Sequence, residues 1–336
     1  MKSAIYGAGA MGTILGAYIS KANYQIDLIS HNKMHIDSLK KNGAKIIGKI
    51  EFIQKVNALT VEEMNSKYDI ILLMTKQTNN YEITKSLIPY LKDDGVICTM
   101  QNGLPEESVA KVIGKDRVIG CTMSWGATFH GQGVCELTSA ARSNTLTFSI
   151  GKYGNNDDFH FNYIVKLLET MGDVKVEENF IGARWAKLMI NAAFSGISVV
   201  TNQTFGEIAK NRKTRRIALN IIKEGIEVAK VAKIKVEPLQ GKDIVKLLDY
   251  NSCLKRQISL MIIPIAMRKH RNIKSSMLRD LANNRRTEVH AINGVISEYG
   301  KNYQVNTPFN DKIIACVKEI ETKQRISTIK NLDYFK

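Results

Sequence analysis

Residues 2–21 read KSAIYGAGAMGTILGAYISK. An apolar run that ends at Tyr6 leads directly into Gly7-Ala8-Gly9-Ala10-Met11-Gly12, and a helix-like segment follows from Thr13 to Lys21. The first glycine permits a tight turn, the second lets the backbone approach a pyrophosphate, and the third allows close packing of helix on strand. The N-terminus of that helix offers free N–H groups to phosphates. We therefore expect residues 7–12 to bind a dinucleotide; an ordinary glycine-rich turn is the alternative.

The pattern around this motif predicts an α/β fold in two domains. Residues 1–178 alternate apolar runs with helix-like segments, which is typical of a Rossmann doubly wound sheet, and residues 179–336 show the periodicity of an all-helical C-terminal domain. We predict strands at Lys2–Tyr6, Gln25–Ile29, Asp69–Met74, Gly95–Met100, Arg117–Ser124 and Val174–Val176, with Gly133–Thr138 and Thr145–Ile150 as an antiparallel pair. We predict long helices at Ile181–Val200, Thr214–Ala232, Leu254–Met267 and Leu281–Tyr299.

The net charge of +16 lies entirely in the second half of the chain. Residues 179–336 hold 29 basic and 13 acidic side chains, whereas residues 1–178 hold 19 of each. Such an excess fits nucleic acid, an anionic surface or an anionic small molecule, and a solvated lysine-rich surface fits it equally well. The charge alone leaves these alternatives open.

Composition argues against a membrane, disulfide or metal protein. The chain starts without a charged leader and apolar signal segment, and its apolar runs fall short of the roughly 20 residues of a membrane span, so we expect a cytoplasmic protein. The five cysteines are scattered and favour reduced core thiols. His31 and His35 have helical spacing but no third ligand nearby, so we expect no metal.

The segment expected at the 2′ position of the adenosine ribose favours NADP. An NAD-preferring site usually has an acid there, about 20 residues beyond the glycines. Here the segment reads Ser30-His31-Asn32-Lys33, and the nearest acid, Asp27, lies inside the strand. Without a carboxylate to repel it, a 2′-phosphate could be held by Ser30, Asn32, Lys33 and His31. Each of these side chains could equally be a solvated loop residue.

Two further strand ends should face the cofactor. They read Met74-Thr75-Lys76-Gln77 and Gln101-Asn102-Gly103. Because ligands of open parallel sheets lie across the carboxyl ends of the strands, we expect Lys76 to meet the phosphates or ribose. Asn102 is expected to hydrogen-bond the cofactor or substrate near the nicotinamide; a simple turn is the alternative for Asn102-Gly103.

The second domain contains a candidate catalytic face. Lys187 and Asn191 lie four residues apart on one predicted helix, and Ser195 lies a further turn along. A lysine there can protonate a ketone oxygen, and an asparagine can fix a substrate oxygen. This spacing is also common on solvated helix faces, so spacing alone is weak support.

Over nearly its full length the chain resembles the ketopantoate reductase (2-dehydropantoate 2-reductase) family. Seven motifs carry the resemblance, in chain order: Gly7-Ala8-Gly9-Ala10-Met11-Gly12; Thr75-Lys76; Gln101-Asn102-Gly103; Gly126-Ala127-Thr128 followed by Gly131–Val134; Trp185-Ala186-Lys187-Leu188 with Asn191; Ser275-Ser276-Met277-Leu278-Arg279-Asp280; and Thr287-Glu288 with Asn293-Gly294. The resemblance implies reduction of ketopantoate to pantoate by NADPH, a step of pantothenate and coenzyme A biosynthesis, in a cleft between the domains.

The resemblance also implies roles for individual residues. Lys187 is the implied general acid, Asn191 and Asn102 orient the substrate, and Ser276 binds its carboxylate. Glu288 is implied to lie close to cofactor, substrate and catalytic lysine. Without the resemblance, Glu288 would be interpreted as part of a surface ion pair and Ser276 as a helix cap.

Two departures from the family pattern leave alternatives open. Ser195 stands where members commonly have a second asparagine, and the match to an arginine that binds the 2′-phosphate falls near His31. A reductase of another 2-oxo acid is therefore one alternative, and a non-catalytic NADP-sensing protein is another. We expect a small 2-oxo acid as the partner, no nucleic acid and no membrane, in a monomer or homodimer.

Overall fold

The computed structural model describes residues 1–335. The chain divides into two units, which consist of Met1–Gln101 with Pro105–Phe180 and of Asn102–Leu104 with the chain from residue 181 onward. The boundary expected from the sequence falls after residue 178, whereas the first unit extends to Phe180. This residue belongs to the first unit because its ring packs so closely on two strands that a Cβ on Gly120 or Gly151 would overlap it.

The first unit is built on two sheets. Its strands are β1 (Ser3–Tyr6), β2 (Ile26–Ser30), β3 (Ala44–Gly48), β4 (Phe52–Gln54), β5 (Asn57–Thr60), β6 (Tyr68–Leu73), β7 (Leu91–Thr99), β8 (Val118–Met123), β9 (Ala127–Gly131), β10 (Val134–Leu137), β11 (Phe148–Lys152) and β12 (Val174–Val176). The main sheet has the order β12-β11-β8-β7-β6-β1-β2-β5, and a smaller sheet has the order β4-β3-β10-β9. From β8 to β5 every neighbouring pair is parallel. The predicted Rossmann-type sheet is confirmed.

Helices flank the main sheet and make up the second unit. Those of the first unit are α1 (Ala10–Lys21), α2 (Lys33–Asn42), α3 (Asn80–Leu87), α4 (Glu106–Ile113) and α5 (Asp158–Glu169). The second unit contains α6 (Phe180–Thr201) from its second residue onward. Its other helices are α7 (Phe205–Lys210), α8 (Arg212–Val231), α9 (Ile244–Leu248), α10 (Cys253–Ala266), α11 (Ser276–Ala282), α12 (Val289–Asn302) and α13 (Pro308–Glu321). Its core consists of buried apolar side chains that these helices contribute, which confirms the helical second domain.

The predicted antiparallel pairing of Gly133–Thr138 with Thr145–Ile150 is wrong. β10 pairs with β9 and β3 in the smaller sheet, while β11 pairs antiparallel with β8 in the main sheet. The hairpin partner of β10 precedes it in the chain, because Gly131, Gln132 and Gly133 all have positive φ and form the turn from β9. Such backbone conformations are typical of tight hairpin turns.

The predicted helix Leu281–Tyr299 is wrong in its first turns. α11 ends at Ala282, and α12 begins only at Val289. Asn284 adopts a left-handed conformation with φ of +51°, which asparagine tolerates better than most residues and which cannot continue a helix. No range was predicted from the sequence for β3, β4, β5, β9, α2, α3, α4, α5, α7, α9, α11 or α13.

Candidate active site

The glycine-rich loop joins β1 to α1 and leaves room for a ligand at one position. Gly7 has φ of +104°, and a Cβ there would lie 2.6 Å from the backbone nitrogen of Thr75. A Cβ on Gly12 would lie 2.8 Å from the carbonyl oxygen of Gly7, so close packing requires both glycines. Gly9 instead has no atom within 4 Å of its would-be Cβ and stands just before α1, whose N-terminus has no side-chain cap. This geometry suits a phosphate at the helix N-terminus.

A buried histidine ties this loop to the smaller sheet. The N–H of Gly133 donates to Nδ1 of His35 at 3.0 Å, so Nε2 carries the ring proton and donates to Oγ1 of Thr13 at 2.9 Å. The Thr13 hydroxyl in turn donates to the carbonyl oxygen of Ala8 at 3.4 Å. Burial lowers the pKa of His35 to about 4, so the ring is neutral at neutral pH. His35 therefore serves the fold of the loop.

Local hydrogen bonds occupy part of the segment proposed for the 2′-phosphate. The Ser30 hydroxyl accepts the N–H of Asn32, and the Asn32 side chain caps α2 by accepting the N–H of His35. His31 and Lys33 are exposed, and Nε2 of His31 lies 3.3 Å from the hydroxyl of Tyr6. The exposed candidates for binding a 2′-phosphate at this strand end are therefore His31 and Lys33.

Asp27, the acid nearest to that segment in sequence, is engaged elsewhere. Its carboxylate accepts the Tyr68 hydroxyl at 2.8 Å and the Asn57 side-chain amide at 2.5 Å. A different acid, Glu62, was not predicted from the sequence. It follows β5, which pairs with β2 in the main sheet and ends beside it. Only the prediction of β5 as the neighbour of β2 could have revealed it.

Two buried amides fix the strand ends next to Lys76 and Asn102. Nε2 of Gln101 donates to the carbonyl oxygen of Thr75 at 2.7 Å and to Oδ1 of Asn80 at 2.7 Å. The Asn80 amide donates back to Oε1 of Gln101 at 3.0 Å. Because Gln101 and Asn80 are both buried, these hydrogen bonds hold the backbone at the carboxyl ends of β6 and β7 in one conformation.

The predicted catalytic face is the accessible stripe of α6. From residue 182 to residue 201, every side chain is buried except those of Lys187, Ile190, Asn191 and Ser195, which are half-buried. These four positions follow the spacing of one helix face. The structure thus brings Lys187, Asn191 and Ser195 together on one face of a single helix, as predicted.

A buried polar network positions this helix. Asn293 on α12 donates from Nδ2 to the carbonyl oxygen of Ala192 at 3.1 Å and to Oδ1 of Asn310 at 2.9 Å. Asn310, at the start of α13, donates from its backbone and side chain to Glu224 on α8 at 3.0 and 2.7 Å. Burial raises the pKa of Glu224, and the bonds from α13 counteract that rise. One family motif residue, Asn293, therefore acts inside the fold and holds α6 between Asn191 and Ser195.

Ser276 does not cap its helix. The cap of α11 is Ser275, whose hydroxyl accepts the N–H of Met277 at 3.2 Å and whose own N–H donates to Ser198 at 3.2 Å. Ser275 is 2% exposed, whereas Ser276 is exposed at the first position of the helix. The interpretation of Ser276 as a capping residue is therefore wrong.

Glu288 is 8% exposed, so it is no surface residue. It stands at the N-cap position of α12. The preceding N–H, that of Thr287, donates to Oε1 of Glu321 at 2.6 Å and anchors the turn that carries Glu288. The alternative of an exposed ion pair is excluded by this burial.

Residues 1–335 include all five cysteines, four of which are buried. Cys98, Cys121, Cys135 and Cys316 are buried, but Cys253 is exposed at the start of α10, so the prediction of a core thiol is wrong there. No helix within these residues combines the length and the apolarity that crossing a membrane requires. In the same range no three His, Cys, Asp or Glu side chains form a group that could hold a metal.

Comparison with known proteins assigns the chain to a family. The family model described as "Ketopantoate reductase PanE/ApbA" matches residues 3–149, and the model of its C-terminal part matches residues 179–321. A 2-dehydropantoate 2-reductase of Pyrococcus horikoshii is 30% identical over 330 residues, which is 96% of this chain and 98% of that protein. One from Archaeoglobus fulgidus is 27% identical and covers 95% of this chain and 97% of its own length.

Solved structures share the fold. A D-mandelate dehydrogenase with NADH and anilino(oxo)acetate has a TM-score of 0.81 at 22% identity, covering 96% of this chain and 99% of its own. A PanE/ApbA family ketopantoate reductase from Ralstonia eutropha has a TM-score of 0.80 at 22% identity, with the same coverage. Together with the family models and the relative at 30% identity, the fold and the glycine-rich loop lead to one conclusion: the chain belongs to the ketopantoate reductase family of oxidoreductases.

Proposed function

We propose that this protein reduces ketopantoate to pantoate with NADPH, a step of pantothenate and coenzyme A biosynthesis. The observation that carries the proposal is the accessible stripe of α6, where Lys187, Asn191 and Ser195 reach the surface of an otherwise buried helix. A buried helix that exposes one amine beside an amide and a hydroxyl suits the protonation of a bound carbonyl. Relatives that match nearly the full chain are named for this reaction.

The first unit fits a dinucleotide cofactor. Open space at Gly9 and the uncapped start of α1 suit a pyrophosphate, which we assign to the backbone of Gly7-Ala8-Gly9-Ala10-Met11-Gly12. We assign His31 to the 2′-phosphate, Lys76 to the phosphates or ribose, and Asn102 and Glu288 to the nicotinamide end. When bound, NADPH supplies the hydride that C2 of the 2-oxo acid receives.

Lys187 is the proposed proton donor. As the C2 carbonyl gains a hydride, its oxygen becomes negative, and the Lys187 ammonium group donates the proton that completes the hydroxyl of the product. We assign to Glu288, whose carboxyl group is buried, the role of favouring the charged form of this lysine, because an opposite charge nearby stabilises an ammonium ion. The lysine is thereby ready to donate.

Four side chains are proposed to hold the substrate. Asn102 and Asn191 orient the carbonyl and hydroxyl oxygens, and Ser195 completes the face of α6 next to them. Ser276 binds the substrate carboxylate, for which its exposed hydroxyl is suited because Ser275 forms the helix cap. Fixing the substrate in this way lowers the entropic cost of reaching the transition state.

A different 2-oxo acid is the second candidate substrate. Ser195 has a shorter reach than the asparagine common at this position in the family, which leaves room for a bulkier side chain on the substrate. The D-mandelate dehydrogenase that shares the fold was solved with anilino(oxo)acetate, an aromatic oxo acid. This observation favours a test of aromatic and branched 2-oxo acids beside ketopantoate.

The test is the loss of NADPH absorbance with each of these oxo acids, with NADH in parallel. Fastest oxidation with ketopantoate supports the proposal. Fastest oxidation with another oxo acid would identify that acid as the substrate of the same type of reduction. NADPH binding without oxidation of any oxo acid, together with salt-dependent DNA binding, would instead indicate a non-catalytic NADP-sensing protein.

The remaining expectations form part of the same proposal. Residues 1–178 form the NADP-binding domain, and residues 179–336 form the substrate and catalytic domain. The protein acts in the cytoplasm as a monomer or homodimer, without a nucleic acid or membrane partner. Size-exclusion chromatography with light scattering tests the oligomeric state.

A further inference from the structure

Two strand ends meet where the adenosine ribose of a dinucleotide is expected. β2 and β5 are parallel neighbours, with Ser30 paired to Thr60 at their carboxyl ends. His31 follows β2 directly, and a single turn of 3-10 helix, Val61–Glu63, follows β5. In this type of sheet the ribose hydroxyls lie at the end of the second strand. The turn that carries Glu62 is therefore adjacent to the ribose position.

The two acids of this turn have different surroundings. The carboxylate of Glu63 is bound to Nζ of Lys40 at 2.6 and 2.7 Å and closes the capping box with Thr60. Glu62 is exposed, and hydrogen bonds from its own backbone N–H and from the Thr60 hydroxyl lower its pKa. Attraction to the protonated form of His31 lowers that pKa further, so Glu62 is ionised at neutral pH and lies within electrostatic reach of His31.

Tyr6 is a second residue at the end of β1 and β2 on which Glu62 acts. Its hydroxyl lies 3.3 Å from Nε2 of His31. Burial raises the pKa of Tyr6, and the negative charge of Glu62 adds to that rise. Glu62 thus acts electrostatically on both members of the Tyr6–His31 pair at the end of β1 and β2.

We infer that Glu62 is a specificity-determining residue for the cofactor, with a carboxylate that opposes a 2′-phosphate and favours the free 2′-hydroxyl of NAD. The inference rests on the proposed function, because it assumes a dinucleotide on the glycine-rich loop. A 2′-phosphate carries nearly two negative charges at neutral pH, so repulsion from one added carboxylate offsets attraction by His31 and Lys33. The protein consequently accepts NADH as well as NADPH.

The test compares binding of NADP⁺ and NAD⁺ to the wild type and to Glu62→Gln, measured separately by calorimetry at low and high salt. Glutamine retains the size of the side chain and can still accept the Thr60 hydroxyl, but it carries no charge. We expect the Kd for NADP⁺ to fall about three- to tenfold, with a smaller effect at high salt, and the Kd for NAD⁺ to stay equal or rise. The matched control, Glu51→Gln, removes an exposed acid from the β3–β4 turn and should change neither Kd.

Four outcomes test the inference and the proposed function separately. An unchanged ratio of the two Kd values in Glu62→Gln, with both nucleotides bound by the wild type, overturns the inference alone. An equal shift in Glu51→Gln overturns it too, because the effect would then follow the net charge. If the wild type binds neither NADP⁺ nor NAD⁺, the proposed function is overturned. Weaker binding of NADP⁺ but not of NAD⁺ to His31→Ala would support the placement of the 2′-phosphate beside Glu62.

Discussion

Lowering the pH below 6.5 should destabilise the first unit through one buried residue, His35. Its ring accepts the N–H of Gly133 at Nδ1 and donates from Nε2 to Thr13, an arrangement that requires the neutral form. Burial lowers the pKa of His35 from 6.5 to about 4. Between these two values the unfolded chain binds a proton that the folded protein does not, so stability is complete above pH 6.5 and is lost as the pH falls towards 4.

The size of this loss of stability follows from the shift in the pKa of His35. Each pH unit in this window removes about 1.4 kcal/mol from the free energy of unfolding, so His35 accounts for a loss of about 2 kcal/mol between pH 6.5 and pH 5. His35→Gln separates this effect from that of other titrating groups. A glutamine can accept from Gly133 and donate to Thr13, but it has no proton to gain in this range.

The assay is urea unfolding of both proteins from pH 7.5 to pH 5. The protein has two tryptophans, Trp125 in the first unit and Trp185 in the second, so a Trp185→Phe background makes fluorescence report on the first unit. The wild type should lose about 2 kcal/mol more than His35→Gln between pH 6.5 and pH 5. Parallel pH profiles of the two proteins would refute the reasoning.

Four further substitutions test the glycine-rich loop, the position of α6 and the choice of substrate. Gly12→Ala should reduce stability by about 1–3 kcal/mol in urea unfolding, because its Cβ would lie 2.8 Å from the Gly7 carbonyl oxygen. Gly9→Ala should leave stability within about 0.5 kcal/mol but weaken NADP⁺ binding; unchanged affinity would argue against a pyrophosphate there. Asn293→Leu should cost the second unit about 2–3 kcal/mol, since it removes two buried hydrogen bonds, and an unaffected urea midpoint would contradict that role. Ser195→Asn should raise kcat/KM for ketopantoate relative to bulkier oxo acids about threefold or more, and an unchanged ratio across the panel would exclude Ser195 as a selector.

The parts of the molecule that local sequence specifies could be predicted. The glycine-rich loop lies between β1 and α1 because Gly7 and Gly12 are required by contacts within this short segment. α6 extends one residue beyond the predicted helix at each end, and its half-buried polar side chains recur with the period of a helix. The stripe of Lys187, Asn191 and Ser195 follows directly from that period.

The parts that depend on distant partners could not be predicted. β5 has four residues and alternates exposed and buried positions, so its place beside β2 depends on pairing across about 30 residues. Glu62 was missed for this reason. Likewise, Ser275 and Ser276 are equivalent as candidate caps in the sequence, and only the backbone of α11 decides between them. The end of α11 depends on one left-handed residue, Asn284, which helical periodicity does not reveal.

The proposed reaction depends most directly on Lys187, and the decisive measurement is the oxidation of NADPH by ketopantoate in the wild type, Lys187→Ala and Lys213→Ala. Lys213 is an exposed lysine in the first turn of α8 and serves as the matched control. We predict rapid oxidation in the wild type and control, and turnover reduced about 100-fold or more in Lys187→Ala with NADPH affinity nearly unchanged, as expected for loss of a general acid. Turnover in Lys187→Ala equal to that of the wild type would contradict the account.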